Sequence, residues 1–138
     1  MNLVARLSCL LTLALLLTAC SQNPDTGEAR KVLEAELENA HLAELLEIAA
    51  VEKHNGYEDG NGLYTIEVSY ELEARESLSD YANQVKADES LSGMDRFAMI
   101  MALSALRVEY GNFQKGDTFE EQRVLTFRET EKGWKVVE

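Results

Sequence analysis

The sequence predicts an α+β domain in which an N-terminal helix packs on an antiparallel sheet, with a second buried helix and a C-terminal β-hairpin. Three observations carry that prediction. Apolar residues recur at helical intervals from residue 27 onward, residues 64 to 73 alternate between apolar and polar, and alternation returns near residue 124 around a Glu131, Lys132, Gly133 turn.

Residues 27 to 47 are rich in Ala, Leu and Glu, good helix formers, and place Val32, Leu33, Leu37, Ala40 and Leu45 at helical spacing. Asp25 or Thr26 stands where a cap is needed. The apolar stripe shifts around Asn39 and His41, which predicts a bend or two faces covered by different neighbours. Residues 48 to 57 read as either the tail of that helix or a strand, and they end in Asn55 and Gly56. Gly60, Asn61 and Gly62 then form a turn. Beyond it Tyr64, Ile66, Val68, Tyr70 and Leu72 alternate with Thr65, Glu67, Ser69, Glu71 and Glu73, the pattern of a half-buried strand. A hairpin joining residues 49 to 57 with 63 to 74 follows, because the glycines supply the positive φ angles it requires.

Residues 77 to 89 form a polar helix or loop, with Leu78, Tyr81, Ala82 and Val85 at helical spacing, and residues 90 to 93 break the chain. Residues 94 to 106 are the most apolar segment after the leader. Phe97, Ile100, Met101, Ala102, Leu103 and Leu106 leave little polar face, so a central buried helix is predicted, with Gly111 as its terminator. The competing reading turns residues 106 to 113 into a strand. In the last quarter Val124, Thr126 and Arg128 point one way, Leu125, Phe127 and Glu129 the other, and Trp134 reads as a core or sheet-face anchor. A leading helix over such a sheet, followed by Gly116, Asp117 and Thr118 and later Gly133 and Trp134, resembles cystatin-like and nuclear-transport-factor-like small envelope domains. That fold class hosts enzymes, inhibitors and adaptors alike, so the resemblance implies a fold and transfers no function.

The leader is more specific. Arg6 supplies a short positive region, residues 7 to 17 are almost wholly apolar, and Leu17, Thr18, Ala19 and Cys20 close the run before the polar residues Ser21, Gln22 and Asn23. A membrane-spanning helix needs about 20 apolar residues, and this run is shorter. The leader resembles the signal peptide and lipobox of bacterial lipoproteins. The resemblance implies cleavage before Cys20, diacylglyceryl attachment to its thiol and acylation of the new amino terminus with chains such as palmitate. In Gram-negative relatives an Asp after the cysteine favours inner-membrane retention, and Ser21 here implies the periplasmic face of the outer membrane. Several acyl chains anchor stably, since each buried methylene contributes about 0.8 kcal/mol. The expected organisation is therefore a cleaved signal over residues 1 to 19, a lipidated tether over 20 to 26, and one globular domain over 27 to 138.

Cys9 is lost with the leader and Cys20 is consumed by lipid, so the expected mature domain holds no disulfide, zinc-thiolate site or cysteine nucleophile. The chain carries a net charge of −12, and removal of Arg6 makes the mature form one unit more negative. Such a balance argues against nucleic acid as a partner.

Candidate chemistry is sparse. Glu38 and His41 stand at the three-residue spacing of carboxylate-bridged metal bundles, but no second such pair accompanies them. His54 lies too far along to share a helix face with His41. Glu58, Asp59, Gly60, Asn61 and Gly62 resemble part of a calcium loop, yet alignment on Gly62 puts Tyr57 and Val68 where acidic ligands are demanded. There is no nucleophile elbow, phosphate-binding loop or dinucleotide fingerprint. The sequence thus assigns no catalytic residue, cofactor or metal, and only Cys20 as a modified site. It leads to a noncatalytic interaction or accessory module of the cell envelope, held in the membrane through Cys20 and binding an envelope protein. The alternative is a small-molecule carrier or degenerate enzyme with a pocket on the concave sheet face. A flat exposed apolar patch would favour the module, and an apolar pocket with an inward acidic residue the carrier.

Overall fold

Asp25 starts the first helix with a capping box: its carboxylate accepts from the Gly27 amide at 2.7 Å, while the Glu28 carboxylate accepts from the Asp25 amide at 3.2 Å. The computed structural model describes residues 23 to 137, so the leader and the Cys20 lipidation site lie outside the described residues. Helix α1 covers Thr26–Asn39. It stops well short of the residue 47 expected from composition, and the reason is local. His41 adopts a left-handed conformation with φ of 57°, the His41 amide donates to the Glu38 carbonyl at 3.0 Å, and the Leu42 amide donates to the Leu37 carbonyl at 2.8 Å. This is a helix-terminating Schellman motif with histidine where glycine is usual. Leu37 and Leu42 both pack against the buried cluster beneath, which holds the turn in place.

The chain then runs into β1 (Leu46–Glu58), so residues 48 to 57 are strand and not helix. It pairs antiparallel with β2 (Leu63–Ala74) through a turn in which Gly60 and Gly62 have φ of 82° and 74°. Two bulges interrupt the β1 register, at Ala49 and at His54. The first leaves carbonyls for α1: the Arg30 guanidinium donates to Ile48 and Ala49 oxygens. Lys53 donates to the Pro24 carbonyl at 2.8 Å and lies over the Tyr64 ring, tying β1 to the chain entering α1. Across β2 lies β3 (Thr118–Thr130), in unbroken antiparallel register from Leu63 opposite Arg128 to Glu73 opposite Thr118. The short β4 (Gly133–Val136) closes the predicted terminal hairpin, giving the order β1-β2-β3-β4.

Between β2 and β3 the chain makes α2 (Leu78–Ala87) and α3 (Gly93–Tyr110). Both begin identically. Ser77 and Ser92 accept from the amides of Asp80 and Asp95 and donate their hydroxyls to the same aspartates' carboxylates. α3 continues to Tyr110 and ends at Gly111, with φ of 76°, so the strand reading of residues 106 to 113 is overturned.

One face of the sheet carries the core. Ile66, Val68, Leu125 and Phe127 enclose Ala29 of α1, and Leu33 sits on Ile48 and Leu72. At the end of the sheet, Leu45, Leu46, Ala74 and Phe113 form a second cluster with Leu78, Tyr81 and Val85 of α2 and Leu103 of α3. The architecture is thus α+β, with α1 on the sheet and α2 against α3.

Three substitutions test this layout by chemical denaturation. Phe127→Ala, at a site 1% exposed, is expected to cost about 3 to 5 kcal/mol, whereas Val124→Ala, on the same strand but 63% exposed, stays within about 0.5 kcal/mol. His41→Gly should raise stability by about 0.5 to 1 kcal/mol, because it removes the left-handed strain and no more than a solvated ring. A loss of stability would mean that the imidazole holds the turn.

Candidate interaction surface

α3 is apolar on nearly every side, the pattern of an enclosed helix. The structure encloses only one side of it. Met99, Ile100, Leu103, Leu106 and Tyr110 pack toward α2 and the end of the sheet, and Leu103 alone is fully buried. Opposite them Met94, Phe97, Met101 and Val108 are 77%, 62%, 55% and 89% exposed. Ala98 and Ala105 are exposed beside them. Ser104 completes the stripe, and its hydroxyl is turned back to the Ile100 carbonyl at 2.8 Å, which satisfies its donor within the helix. From Met94 to Val108 the stripe runs about 21 Å along the helix. Leaving four large apolar side chains in water on one helix face forgoes stabilisation of about 25 cal/mol for each Å² that a neighbour would cover.

The other large surface is the helix-free face of the sheet. Strand register places Glu47, Glu52, Glu67, Glu71, Glu73 and Glu120 on it, together with Ser69 and Gln122. Glu67, Glu71 and Glu73 therefore share the face away from α1, as their alternation with the apolar residues of β2 requires. Arg75 partly offsets this charge through a 2.6 Å ion pair with Glu47. The bulge at His54 aims its ring across the strands, so that Nε2 lies 2.7 Å from Ser69 Oγ. A Ser–His contact suggests nucleophile chemistry, but Ser69 is 8% exposed in the middle of the central strand. Its neighbouring amides serve the pairing with β1 and β3, so the backbone offers an oxyanion no donors there. The contact acts as a cross-strand clasp, as does the 3.0 Å bond between Thr65 and Thr126.

A third cluster joins α3 to the sheet. The Tyr110 hydroxyl donates to Glu121 Oε1 at 2.8 Å, and its ring lies 4.4 Å from that of Phe119, which in turn meets Phe113 edge-on. Arg123, two residues on, reaches Glu36 of α1 at 2.9 Å. Burial and the bond to Glu121 push the Tyr110 phenol above the usual tyrosine range, and burial does the same for Tyr70 nearby. No motif announces this cluster. The signal was the strand alternation itself, which puts Glu121 and Arg123 on the same inward side as Phe119 and Leu125, where charges need partners.

The remaining sequence candidates are placed as follows. Glu38 stands in the last turn of α1 and His41 beyond its end, both lining a cleft of about 400 Å³ with Tyr81, Gln84 and Met99. They do not share one helix, and among the described residues no group of three or more His, Cys, Asp or Glu side chains is placed to hold a metal ion. In the turn at residues 59 to 62, Asp59 Oδ1 accepts from the Asn61 amide at 3.0 Å, so that carboxylate stabilises the turn. Trp134 packs on the Ile66, Val68 and Phe127 cluster, 6.1 Å from Tyr64, as an anchor of the sheet face. Among the described residues no helix is long and apolar enough to cross a membrane.

Fold and surface together define an α+β domain with one open apolar helix face and one open acidic sheet face. Comparison with family models, with curated proteins and with solved structures gives no match for this chain.

The tyrosine cluster makes a pH-dependent prediction. A phenol whose folded pKa is raised stabilises the fold fully below its ordinary value near 10, and that contribution is lost as pH rises through the folded pKa. In a spectrophotometric titration of tyrosinate, Tyr110 should ionise later than an ordinary tyrosine, and Tyr110→Phe should remove one late-titrating group. A titration unchanged by Tyr110→Phe at high pH contradicts the assignment.

Proposed function

We propose that the protein is a lipid-anchored module of the outer membrane, on its periplasmic face, that works without catalysis by holding a protein partner on α3. The observation that carries this reading is the continuous apolar face of α3, in which Met94, Phe97, Met101 and Val108 are all more than half exposed. Monomeric proteins rarely leave a contiguous apolar patch uncovered unless something binds it. Methionine suits the role, because its unbranched, polarisable side chain adapts to a partner's contour. The lipobox ending at Cys20 supports the anchor, and with it a compartment in which a partner is met at a membrane surface.

The carrier alternative asks for an apolar pocket on the concave sheet face. The depression on the helix-free sheet face is a shallow one of about 190 Å³ lined by His54, Glu67 and Gln122 among others, which favours the module. A groove of about 430 Å³ lies instead between α1 and β3 beside Val32 and Leu125.

The test is crosslinking in intact cells followed by purification through a C-terminal tag, with wild type, Cys20→Ala and Met101→Glu compared. The expected result is a crosslinked protein species in the wild type that falls about tenfold with Met101→Glu, a change of roughly 1.4 kcal/mol in binding. It should also fall when Cys20→Ala removes the anchor. A crosslinking pattern indifferent to Met101→Glu, in a variant that is folded and abundant, overturns the reading.

A further inference from the structure

We infer that the open edge of β3 is a docking site for an extended segment of a partner protein, basic on one face and apolar on the other, which joins the sheet in the row that β4 leaves unfinished. The site is separate from α3 and does not depend on the reading of that helix.

β4 covers only part of its neighbour. Its pairing with β3 runs from Thr130 back to Phe127, and the last bond in the row is donated by the Val137 amide to the Thr126 carbonyl at 2.7 Å. Backbone groups along a strand point alternately to either side, so those of Glu120, Gln122 and Val124 face the same way as those of Thr126. Among the described residues no backbone group pairs with them. The open stretch, residues 118 to 125, is about 26 Å long. The opposite edge of the sheet is built differently: two bulges bend β1, and Arg30 binds the Ile48 and Ala49 carbonyls. Such features keep a sheet edge from recruiting another strand, and β3 has neither bulge nor proline.

The space beside this edge has room for a strand. The groove of about 430 Å³ between α1 and β3 begins where β4 stops, at Val136 and Val137, and is walled by Val32 and Ala35 of α1 with Lys31 beside them. Side chains of an added strand that point toward α1 would lie against these small apolar residues and cover Val136, which is 40% exposed. On this side Arg123 is already bound to Glu36 at 2.9 Å.

The other face of the row is acidic. Glu120 stands directly opposite Glu71, with Glu67 opposite Val124, and neither Glu71 nor Glu120 has an ion-pair partner among the described residues. Like charges so placed repel, and a cation on the next strand, its Cβ about 5 Å from that of Glu120, relieves them. Side chains alternate along a strand, so the occupant carries Lys or Arg at every second position and apolar residues between. A second copy of this chain, at a net charge of −12, is a poor occupant of such an edge.

The test uses the full-length protein in neutral detergent and, as probe, a blocked octapeptide of alternating valine and lysine, with its valine–glutamate counterpart as control. By fluorescence anisotropy the lysine peptide is expected to bind with an affinity that falls as salt rises, and the glutamate peptide about tenfold more weakly. Glu120→Lys, an exposed change, should weaken the lysine peptide about tenfold, and Val124→Pro, which removes an outward N–H and leaves the pairing with β2, should do the same. In the complex the amides of Glu120, Gln122 and Val124 should exchange with solvent about tenfold more slowly, while those of Glu121 and Arg123, which face β2, stay as they were. No binding of the lysine peptide, equal binding of the two peptides, or binding indifferent to both substitutions overturns the proposal. So does protection of the three amides without peptide, which means that the chain itself holds the edge or, where protection grows with protein concentration, that a second copy does. Met101→Glu is expected to bind the peptide as the wild type does, so failure at this edge leaves the α3 reading intact, and failure at α3 leaves this one.

Discussion

The alternation along β2 is the constraint on which the rest of this structure depends. Ile66, Val68 and Leu72 all point to one face, where they meet Ala29 and Leu33 of α1 and Leu125 and Phe127 of β3. A slip of one residue in either pairing would exchange that set for Thr65, Glu67, Ser69 and Glu71, and the core would be lost. The unbroken register with β3 fixes one side of the strand. On the other side, bulges at Ala49 and His54 bend β1, Arg30 of α1 binds the Ile48 and Ala49 carbonyls at the first of them, and Lys53 holds the Pro24 carbonyl at the entry to α1. Once β2 is placed, α1 has one site on which to lie and the opposite sheet face is left to water and glutamate.

Much of this was legible in the residues, for a physical reason. Periods of two and of 3.6 residues are consequences of burial on one side, so β2, β3 and the start of α1 appear in the sequence as directly as they do in space. The end of α1 did not, because Ala40 through Leu45 keep the composition of a helix while a single histidine in a left-handed conformation turns the chain. Composition averages over a segment and cannot see one residue's φ. Residues 48 to 57 were ambiguous for a related reason: two bulges break the alternation that would have marked them as strand.

α3 shows the limit most clearly. Its sequence is apolar on nearly every side, which predicts enclosure, yet the fold covers only the side bearing Leu103. Apolar character records that a surface is to be covered and is silent about whether the cover belongs to the same chain. The small half-buried cluster of Tyr110 and Glu121, which anchors the end of α3 to the sheet, was visible only as a charge at an inward position of β3. The lipid attachment proposed at Cys20 rests, by contrast, on a pattern of four contiguous residues from Leu17 to Cys20, which is legible without any fold.

The central claim is that the open face of α3 is covered when the anchored protein is in place. Methionine oxidation measures this without a probe of uncertain size, since exposed thioethers convert to sulfoxide far faster than packed ones. Met94 and Met101, at 77% and 55% exposure, should oxidise slowly in intact membranes and quickly once the protein is diluted in detergent, while Met99, packed against the core, stays slow in both. Equal, rapid oxidation of Met94 and Met101 in the two conditions would mean that nothing covers α3, and would contradict the account.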